Sequence, residues 1–147
     1  MSLQHAILAA ALALKTMEMK MVSNLAAVLF AFLTLAVVVF QLALVSGAPW
    51  GEFTLGGKYP GKLPRPIRIV SIFSAILLIA FAAIVLARAG IAFKSIRESS
   101  HWMVWGVIGY CVVGTVLNLK TPSRRERALW SPVVMLMLLS SLIVGAS

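Results

Sequence analysis

The side chains in this sequence that could perform acid–base or nucleophilic chemistry are few and widely separated. The chain has four acidic residues, none of them aspartate, and two histidines. The residues that could act as an acid, a base or a nucleophile are Glu52, Tyr59, His101 and Glu126. The single cysteine, Cys111, stands in an apolar tract, and no histidines or cysteines are paired at the spacing of a metal site. The sequence therefore predicts no catalytic residue, no metal site and no cofactor.

Four long tracts without Asp, Glu, Lys or Arg must hold these few polar residues in place. The tracts are 21–51, 69–87, 99–119 and 128–147. A helix needs about 20 apolar residues to cross the hydrocarbon core of a bilayer, and the chain is 61% hydrophobic and only 12% charged. The sequence therefore predicts one all-α integral membrane domain over 1–147, a bundle of four transmembrane helices. The spans are expected at about 22–46, 67–89, 100–119 and 124–146.

Residues 1–20 precede the first predicted span and contain a shorter apolar run, Ala6–Leu14. This run is too short to cross a bilayer, and no basic residue precedes it as in a secretory signal peptide. Residues 1–20 are therefore expected to form an interfacial helix or an extension of the first span. The alternative is a natural start at Met17, Met19 or Met21.

Polar residues within the spans predict which helix faces point inward. Thr34 and Gln41 lie within about 20° of each other on a helical wheel, and a polar side chain in hydrocarbon needs a partner. Gln41 is expected either to form a hydrogen bond between helices or to line the floor of a pocket below the following loop.

Two further patterns concern the third and fourth spans. Gly106 and Gly109 share a face with Tyr110, and small residues at this spacing are typical of close helix contacts in membranes. Ser123 stands three residues before Glu126, the spacing of a capping box. It is therefore expected to be the N-cap of the fourth helix, with the glutamate reaching back to it.

The segment 47–66, GAPWGEFTLGGKYPGKLPRP, contains five of the ten glycines and four of the six prolines. Gly47 is placed to end the first helix in a left-handed conformation, and Tyr59-Pro60-Gly61 fits a type II turn. Four prolines reduce the entropy of the unfolded segment, which predicts a structured loop between helices 1 and 2. Irregular backbone near the headgroups is tolerated where it is wet or covered by protein. The loop is therefore expected to fold over the mouth of the bundle.

With four spans, the loop 47–66 and the segment 118–130 lie at the same membrane face. Eight residues of this face are candidates for holding a ligand or organising the loops: Gln41, Trp50, Glu52, Arg68, Asn118, Glu126, Arg127 and Trp130. In one interpretation the two glutamates pair with Arg68 and Arg127 and lock the loops together. In the other, the face binds a ligand.

The net charge of +9 comes from residues at span ends and in short loops, where cations set orientation and meet anionic headgroups. Anionic membrane lipids are therefore expected partners, and nucleic acid is not. The loop face carries Lys58, Lys62, Arg65, Arg68, Lys120, Arg124, Arg125 and Arg127, whereas the other face carries Lys15, Lys20, Arg88, Lys94 and Arg97. This excess predicts that the loop face is inside and both termini are outside.

Two stretches resemble the hallmarks of a family of small, uncharacterised four-span membrane proteins, mostly bacterial. They are GAPWGEFTLGGKYPGKLP, followed by Arg68, and NLKTPSRRERALWSPV at 118–133. The resemblance covers about residues 20–147 and implies the same four-span layout, with a bacterial plasma (inner) membrane as the location. It implies no activity, cofactor or catalytic residue.

The sequence favours a non-enzymatic protein whose loop face binds a lipid, a small amphiphile or a partner membrane subunit, alone or as a homo-oligomer. Basic residues beside tryptophan suit phosphate or carboxylate headgroups. A small transporter acting as an oligomer is the alternative, although no span contains the acid that a proton-coupled exporter uses. A lipid-modifying enzyme is less favoured, because about 30 Å of hydrocarbon is expected to separate His101 from Glu52 and Glu126.

Overall fold

Four long α-helices make up most of the computed structural model, which describes residues 3–147. They are α1, Leu3–Ser46; α2, Arg65–Arg88; α3, Arg97–Lys120; and α4, Arg124–Ala146. Each is long and apolar enough to cross a membrane. The described part of the chain contains no β-strand, and the predicted all-α fold with four transmembrane helices is confirmed.

The helix ends follow signals in the local sequence. Pro66 lies in the first turn of α2, where its missing N–H costs no hydrogen bond. Ser123 is the N-cap of α4, and its Oγ accepts the backbone N–H of Glu126 at 3.2 Å, as the capping-box spacing predicts. α3 begins at Arg97, directly after a 3₁₀ turn at Lys94–Ile96, and so extends beyond the predicted span.

The helices form a ring in chain order, in which α4 closes on α1 and the contact between α2 and α3 is the smallest. The core inside the ring is apolar and is built from every helix: Ala26, Ala27, Phe30, Val38, Ala75, Leu78, Ile84, Val85, Val104, Val107, Ile108, Cys111, Met137 and Val144. Many other large apolar side chains are exposed on the outside of the ring. That arrangement suits a bundle whose surrounding solvent is hydrocarbon.

α1 is much longer than its neighbours, with 44 residues against 24 for α2. Its length is about 66 Å at 1.5 Å per residue. Ser23 Oγ lies 2.8 Å from Ser147 Oγ and marks the end of the bundle. Residues 3–22 precede this point and are all exposed. They continue α1 as an extension of the first span and form no separate interfacial helix, while the first two residues of the predicted 1–20 segment lie outside the described residues.

The predicted contact face of α3 is wrong. A Cβ atom added at Gly106 or Gly109 would meet no atom within 4 Å, and Tyr110 is 43% exposed. The close approach occurs instead at Gly145 of α4, where a Cβ would lie 2.9 Å from Cδ1 of Ile108. The spacing of the glycines does not show which face points inward, because a glycine can face lipid as readily as it can face another helix.

Candidate functional site

The loop between α1 and α2, residues 47–64, contains two short 3₁₀ turns at Gly51–Phe53 and Leu55–Gly57. Gly47, with φ +94°, ends α1 in the left-handed region that favours glycine. The N–H of Gly57 donates to the carbonyl oxygen of Thr54 at 2.9 Å within the second turn. These residues, 47–64, are called the lid below.

Gly51 joins the two halves of the lid. Its N–H donates to the carbonyl oxygen of Gly61 at 2.8 Å. A Cβ at Gly51 would lie 2.0 Å from the carbonyl oxygen of Tyr59 and 2.8 Å from that of Gly61. Backbone therefore packs directly on backbone at this point, and only glycine leaves the room. Gly61 has φ +84°, the sign that a type II turn at Tyr59-Pro60-Gly61 requires.

The first turn of α4 attaches the lid to the bundle. Ser123 Oγ donates to the carbonyl oxygen of Glu52 at 2.8 Å. Oε2 of Glu126 accepts the N–H of Gly56 at 2.8 Å and the hydroxyl of Thr121 at 2.8 Å. The prediction that the Glu126 side chain returns to its own N-cap is therefore wrong. The half-buried Gly56 thus has the carboxylate of Glu126 as the acceptor for its N–H.

Trp130, in the second turn of α4, provides another attachment. Its Nε1–H donates to the carbonyl oxygen of Phe53 at 2.8 Å. Its ring meets Phe40 of α1 edge to face, with ring centroids 4.7 Å apart, and Trp50 stacks on Phe40 with centroids 6.0 Å apart. Leu63 of the lid is only 2% exposed beside this cluster. The lid is thus packed on α1 and α4 rather than lying free in solvent.

The two glutamates of this face do not pair with the predicted arginines. Glu52 forms an ion pair with Arg125, and Glu126 forms none with the basic side chains of residues 3–147. The reason is that α4 starts beside the lid, which places its own first-turn arginine next to Glu52. The side chains of the pair are 34% and 66% exposed, so it is worth about 1 kcal/mol or less.

Arg68 and Arg127 bind backbone carbonyl groups instead. Arg68 donates from Nε to the oxygen of Leu63 at 3.0 Å and from Nη1 to that of Val45 at 3.3 Å. Arg127 donates from Nη1 to the oxygen of Thr121 at 3.4 Å. The last carbonyl groups of a helix have no partner within the helix, and a cation there also complements the helix dipole. Both arginines therefore close helix ends rather than neutralise an acid.

A cavity of about 170 Å³ lies beneath the lid, between the four helices. At the lid end the polar lining residues Gln41, Thr54, Asn118 and Glu126 lie beside the rings of Phe40, Phe53 and Trp130. Further into the bundle its lining is mostly apolar, with Val37, Leu78, Val134 and Met137 beside Ser74, Tyr110 and Cys111. Val37 lies about 14 Å below the end of α1 at 1.5 Å per residue. The cavity is therefore amphipathic along its length.

Half of the predicted site residues line this cavity: Gln41, Asn118, Glu126 and Trp130. The other half surround it without lining it: Trp50, Glu52, Arg68 and Arg127. Asn118 donates from Nδ2 to the carbonyl oxygen of Gly114 at 2.8 Å within α3. Thr34 is buried, yet its hydroxyl has no hydrogen-bond partner among the described residues. Thr34 and Gln41 share one face of α1, and of the two only Gln41 lines the cavity.

Several cavity residues are not among the eight candidate site residues. Thr54 lies within the lid, Ser74 on α2, and Tyr110, Cys111 and Gly114 on α3. Ser74 could have been found from its polarity within an apolar tract. Gly114 could not, because a helical glycine indicates equally well a close contact or an open space, and here a Cβ would meet no atom within 4 Å.

The candidate His101 lies far from the cavity. His101 is exposed in the second turn of α3, about 28 Å from the end of that helix at 1.5 Å per residue. It therefore stands at the opposite end of the bundle from Glu126. Among residues 3–147, no three His, Cys or Glu side chains lie close enough together to hold a metal ion.

No family model, curated protein or solved structure matches this chain. Its function is therefore proposed from the cavity, the lid and the charges around them.

Proposed function

We infer that this protein is a non-enzymatic membrane protein that binds a small amphiphile in the cavity beneath the lid. The observation that carries the proposal is the change in lining along the cavity, from Gln41, Asn118 and Glu126 at the lid to Val37 and Met137 inside the bundle. A buried polar group needs a hydrogen-bond partner, and a buried apolar group gains by leaving water. The ligand that satisfies both ends has a polar head and a short apolar tail.

The volume of the cavity limits the size of this ligand. An engineered apolar cavity of about 150 Å³ accommodates benzene, whereas pockets for drug-sized molecules measure about 300–1,000 Å³. The cavity under the lid, at about 170 Å³, suits a group of about six carbon atoms by that comparison. A longer chain would have to continue out of the bundle.

The side of the cavity between α2 and α3 offers such an exit. Ser74 and Leu78 of α2 and Gly114 of α3 line the cavity there. No α3 residue after Cys111 is buried, although the same helix packs tightly nearer its start. A tail could therefore reach the surrounding lipid between these two helices while its head stays under the lid.

The exposed cations of the loop face have a separate role in this proposal. Lys58, Lys62, Arg65 and Arg124 are exposed and do not line the cavity. Basic residues just outside a span attract anionic lipid headgroups. We assign these residues to the membrane surface, with the loop face inside and both termini outside a bacterial plasma membrane. Association with a partner membrane subunit or a second copy is compatible with the remaining lipid-facing surface.

Filling the cavity with a side chain tests the proposal. Gly114→Leu places an isobutyl group in the open space beside Asn118, and the helix tolerates it because a Cβ there meets no atom within 4 Å. In non-ionic detergent, hexanol at ten times its dissociation constant is expected to raise the Tm of the parent by about 5 °C. Gly114→Leu is expected to abolish this shift.

Gly106→Leu is the matched control, because Gly106 lies on the same helix with equally open surroundings but does not line the cavity. It should respond to hexanol as the parent does. An equal response of all three proteins, or no response of the parent, would show that the cavity does not bind the amphiphile.

The orientation is tested by cysteine labelling in a Cys111→Ala background. Lys58→Cys places an exposed thiol in the lid, and Ser95→Cys places one in the loop before α3, at the other membrane face. An impermeant maleimide applied to intact cells is expected to label Ser95→Cys at least tenfold faster, in line with the excess of basic residues at the lid face. Faster labelling of Lys58→Cys would reverse the orientation.

A further inference from the structure

We propose that the ligand head is a cation, an alkylammonium group held by the carboxylate of Glu126. This inference rests on the proposed function and specifies the chemical class of the amphiphile. It also departs from the expectation of an anionic ligand at this face, since it assigns anionic headgroups only to the outer surface of the bundle.

Glu126 is the acidic residue that lines the cavity. Its Oε2 is fixed by the N–H of Gly56 and the hydroxyl of Thr121, each at 2.8 Å. These two donors are neutral, and neither hydrogen bond nor ion pair joins Oε1 to the residues of 3–147. The two hydrogen bonds therefore hold the carboxylate in a defined orientation, while no basic side chain of residues 3–147 forms an ion pair with it.

Three arginines of this face are occupied by other partners. Arg125 pairs with Glu52, Arg127 donates to the carbonyl oxygen of Thr121, and Arg68 closes the end of α1. No lysine or arginine lines the cavity. Charges at the wet surface are screened over about 8 Å at physiological salt, whereas Glu126 faces a half-buried space. The formal charge of the cavity lining is thus −1, from Glu126, although the whole chain carries +9.

Aromatic side chains supply the second element of a cation site. Phe40, Phe53, Tyr110 and Trp130 all line the cavity. Aromatic rings attract ammonium groups through their electron-rich faces, and the attraction grows when water is displaced. A carboxylate head placed at the same position would meet the like charge of Glu126 with no donor from arginine or lysine to offset it. The lining therefore selects a cation over an anion of equal length.

Three probes with the same six-carbon chain test this selection: hexylammonium, hexanol and hexanoate. Each is titrated into the purified protein in non-ionic detergent, and Tm is followed as a function of probe concentration. The parent is expected to bind hexylammonium about tenfold more tightly than hexanol, the scale of one charge-assisted hydrogen bond. Hexanoate is expected to bind more weakly than hexanol.

Glu126→Gln is the test variant, because the glutamine carbonyl can still accept the N–H of Gly56 and so keep the lid attached. It should lose the roughly tenfold preference of the parent for hexylammonium over hexanol, so that the two probes bind it with about equal affinity. Glu52→Gln removes the same charge from the same face, but Glu52 does not line the cavity. It should keep the preference of the parent for hexylammonium.

The outcomes separate this inference from the proposed function. If hexanol binds and Gly114→Leu abolishes its binding, while hexylammonium gains nothing over hexanol, the cavity is a binding site and the cation assignment is wrong. An equal loss of preference in Glu52→Gln would also overturn it, because the effect would then come from the overall charge of the face. If none of the three probes binds the parent, both proposals fail.

Discussion

Replacement of Gly51 by alanine is expected to open the lid and to lower the stability of the protein by about 3 kcal/mol, the upper part of the range for overpacking. The added Cβ would lie 2.0 Å from the carbonyl oxygen of Tyr59 and 2.8 Å from that of Gly61. Both obstacles are backbone atoms, which no change of rotamer can move away. The hydrogen bond from Gly51 to Gly61, at 2.8 Å, must then break, and the two halves of the lid must separate.

Thermal unfolding in detergent measures this effect, and a decrease in Tm of about 10 °C is expected. Gly61→Ala is the matched control within the lid: its φ of +84° is unfavourable for alanine, but a Cβ there would meet nothing within 4 Å. It should lower the free energy of unfolding by only about 1 kcal/mol, the usual effect of one non-glycine residue in the left-handed region. Equal melting temperatures for the two variants would contradict the close backbone contact at Gly51.

Truncation of Trp130 to alanine is expected to cost about 3 kcal/mol, the lower end of the range for a buried tryptophan because this side chain is only half-buried. The truncation removes the hydrogen bond to Phe53 at 2.8 Å and the edge-to-face contact with Phe40 at 4.7 Å. The hydrogen bond joins the lid to the bundle, and the ring contact joins α4 to α1 beside the lid. Limited proteolysis should therefore cleave the variant within the lid faster than the parent, and Tm should decrease.

Two further variants separate the causes. Trp130→Phe keeps an aromatic ring against Phe40 but leaves the carbonyl oxygen of Phe53 unpaired, which should cost about 1 kcal/mol. Trp102→Ala removes an indole that is 84% exposed at the opposite end of the bundle and should change stability by about 0.5 kcal/mol or less. If Trp130→Ala has the same Tm and the same rate of cleavage in the lid as Trp102→Ala, Trp130 does not hold the lid on the bundle.

The four spans could be predicted from the sequence because each is a long tract that water would not solvate. The same tracts could not show which face of each helix turns inward. In a soluble bundle the outward face is polar, but here Phe73, at 69% exposure, is as apolar as the buried Phe30. The face of α3 was therefore assigned wrongly from Gly106 and Gly109, since lipid accepts either orientation of a small residue.

The candidate site was predicted in part. The sequence brought the loop 47–66 and the start of α4 to one face, and Gln41, Asn118, Glu126 and Trp130 do line one cavity. The charge pairing could not be predicted, because opposite charges in a sequence do not reveal the backbone carbonyl groups that compete for an arginine. Arg68 and Arg127 both satisfy helix-end carbonyl groups and leave Glu126 without a cation. The pocket below the loop was one of two expectations for Gln41, but its volume and depth depend on the spaces between side chains, which no residue pattern encodes.

One carboxylate serves both the lid and the cavity, since Glu126 accepts the N–H of Gly56 and lines the space below it. Under the proposed function, occupancy of the cavity and closure of the lid would be linked equilibria, and such linkage is reciprocal. A bound amphiphile that orients this carboxylate would strengthen its hydrogen bond to Gly56, and a stronger hydrogen bond would retain the amphiphile. The residence time of the bound amphiphile would depend on the rate at which the lid opens more than on the strength of any single contact. The double role of Glu126 therefore predicts slow exchange of the amphiphile even if it binds weakly.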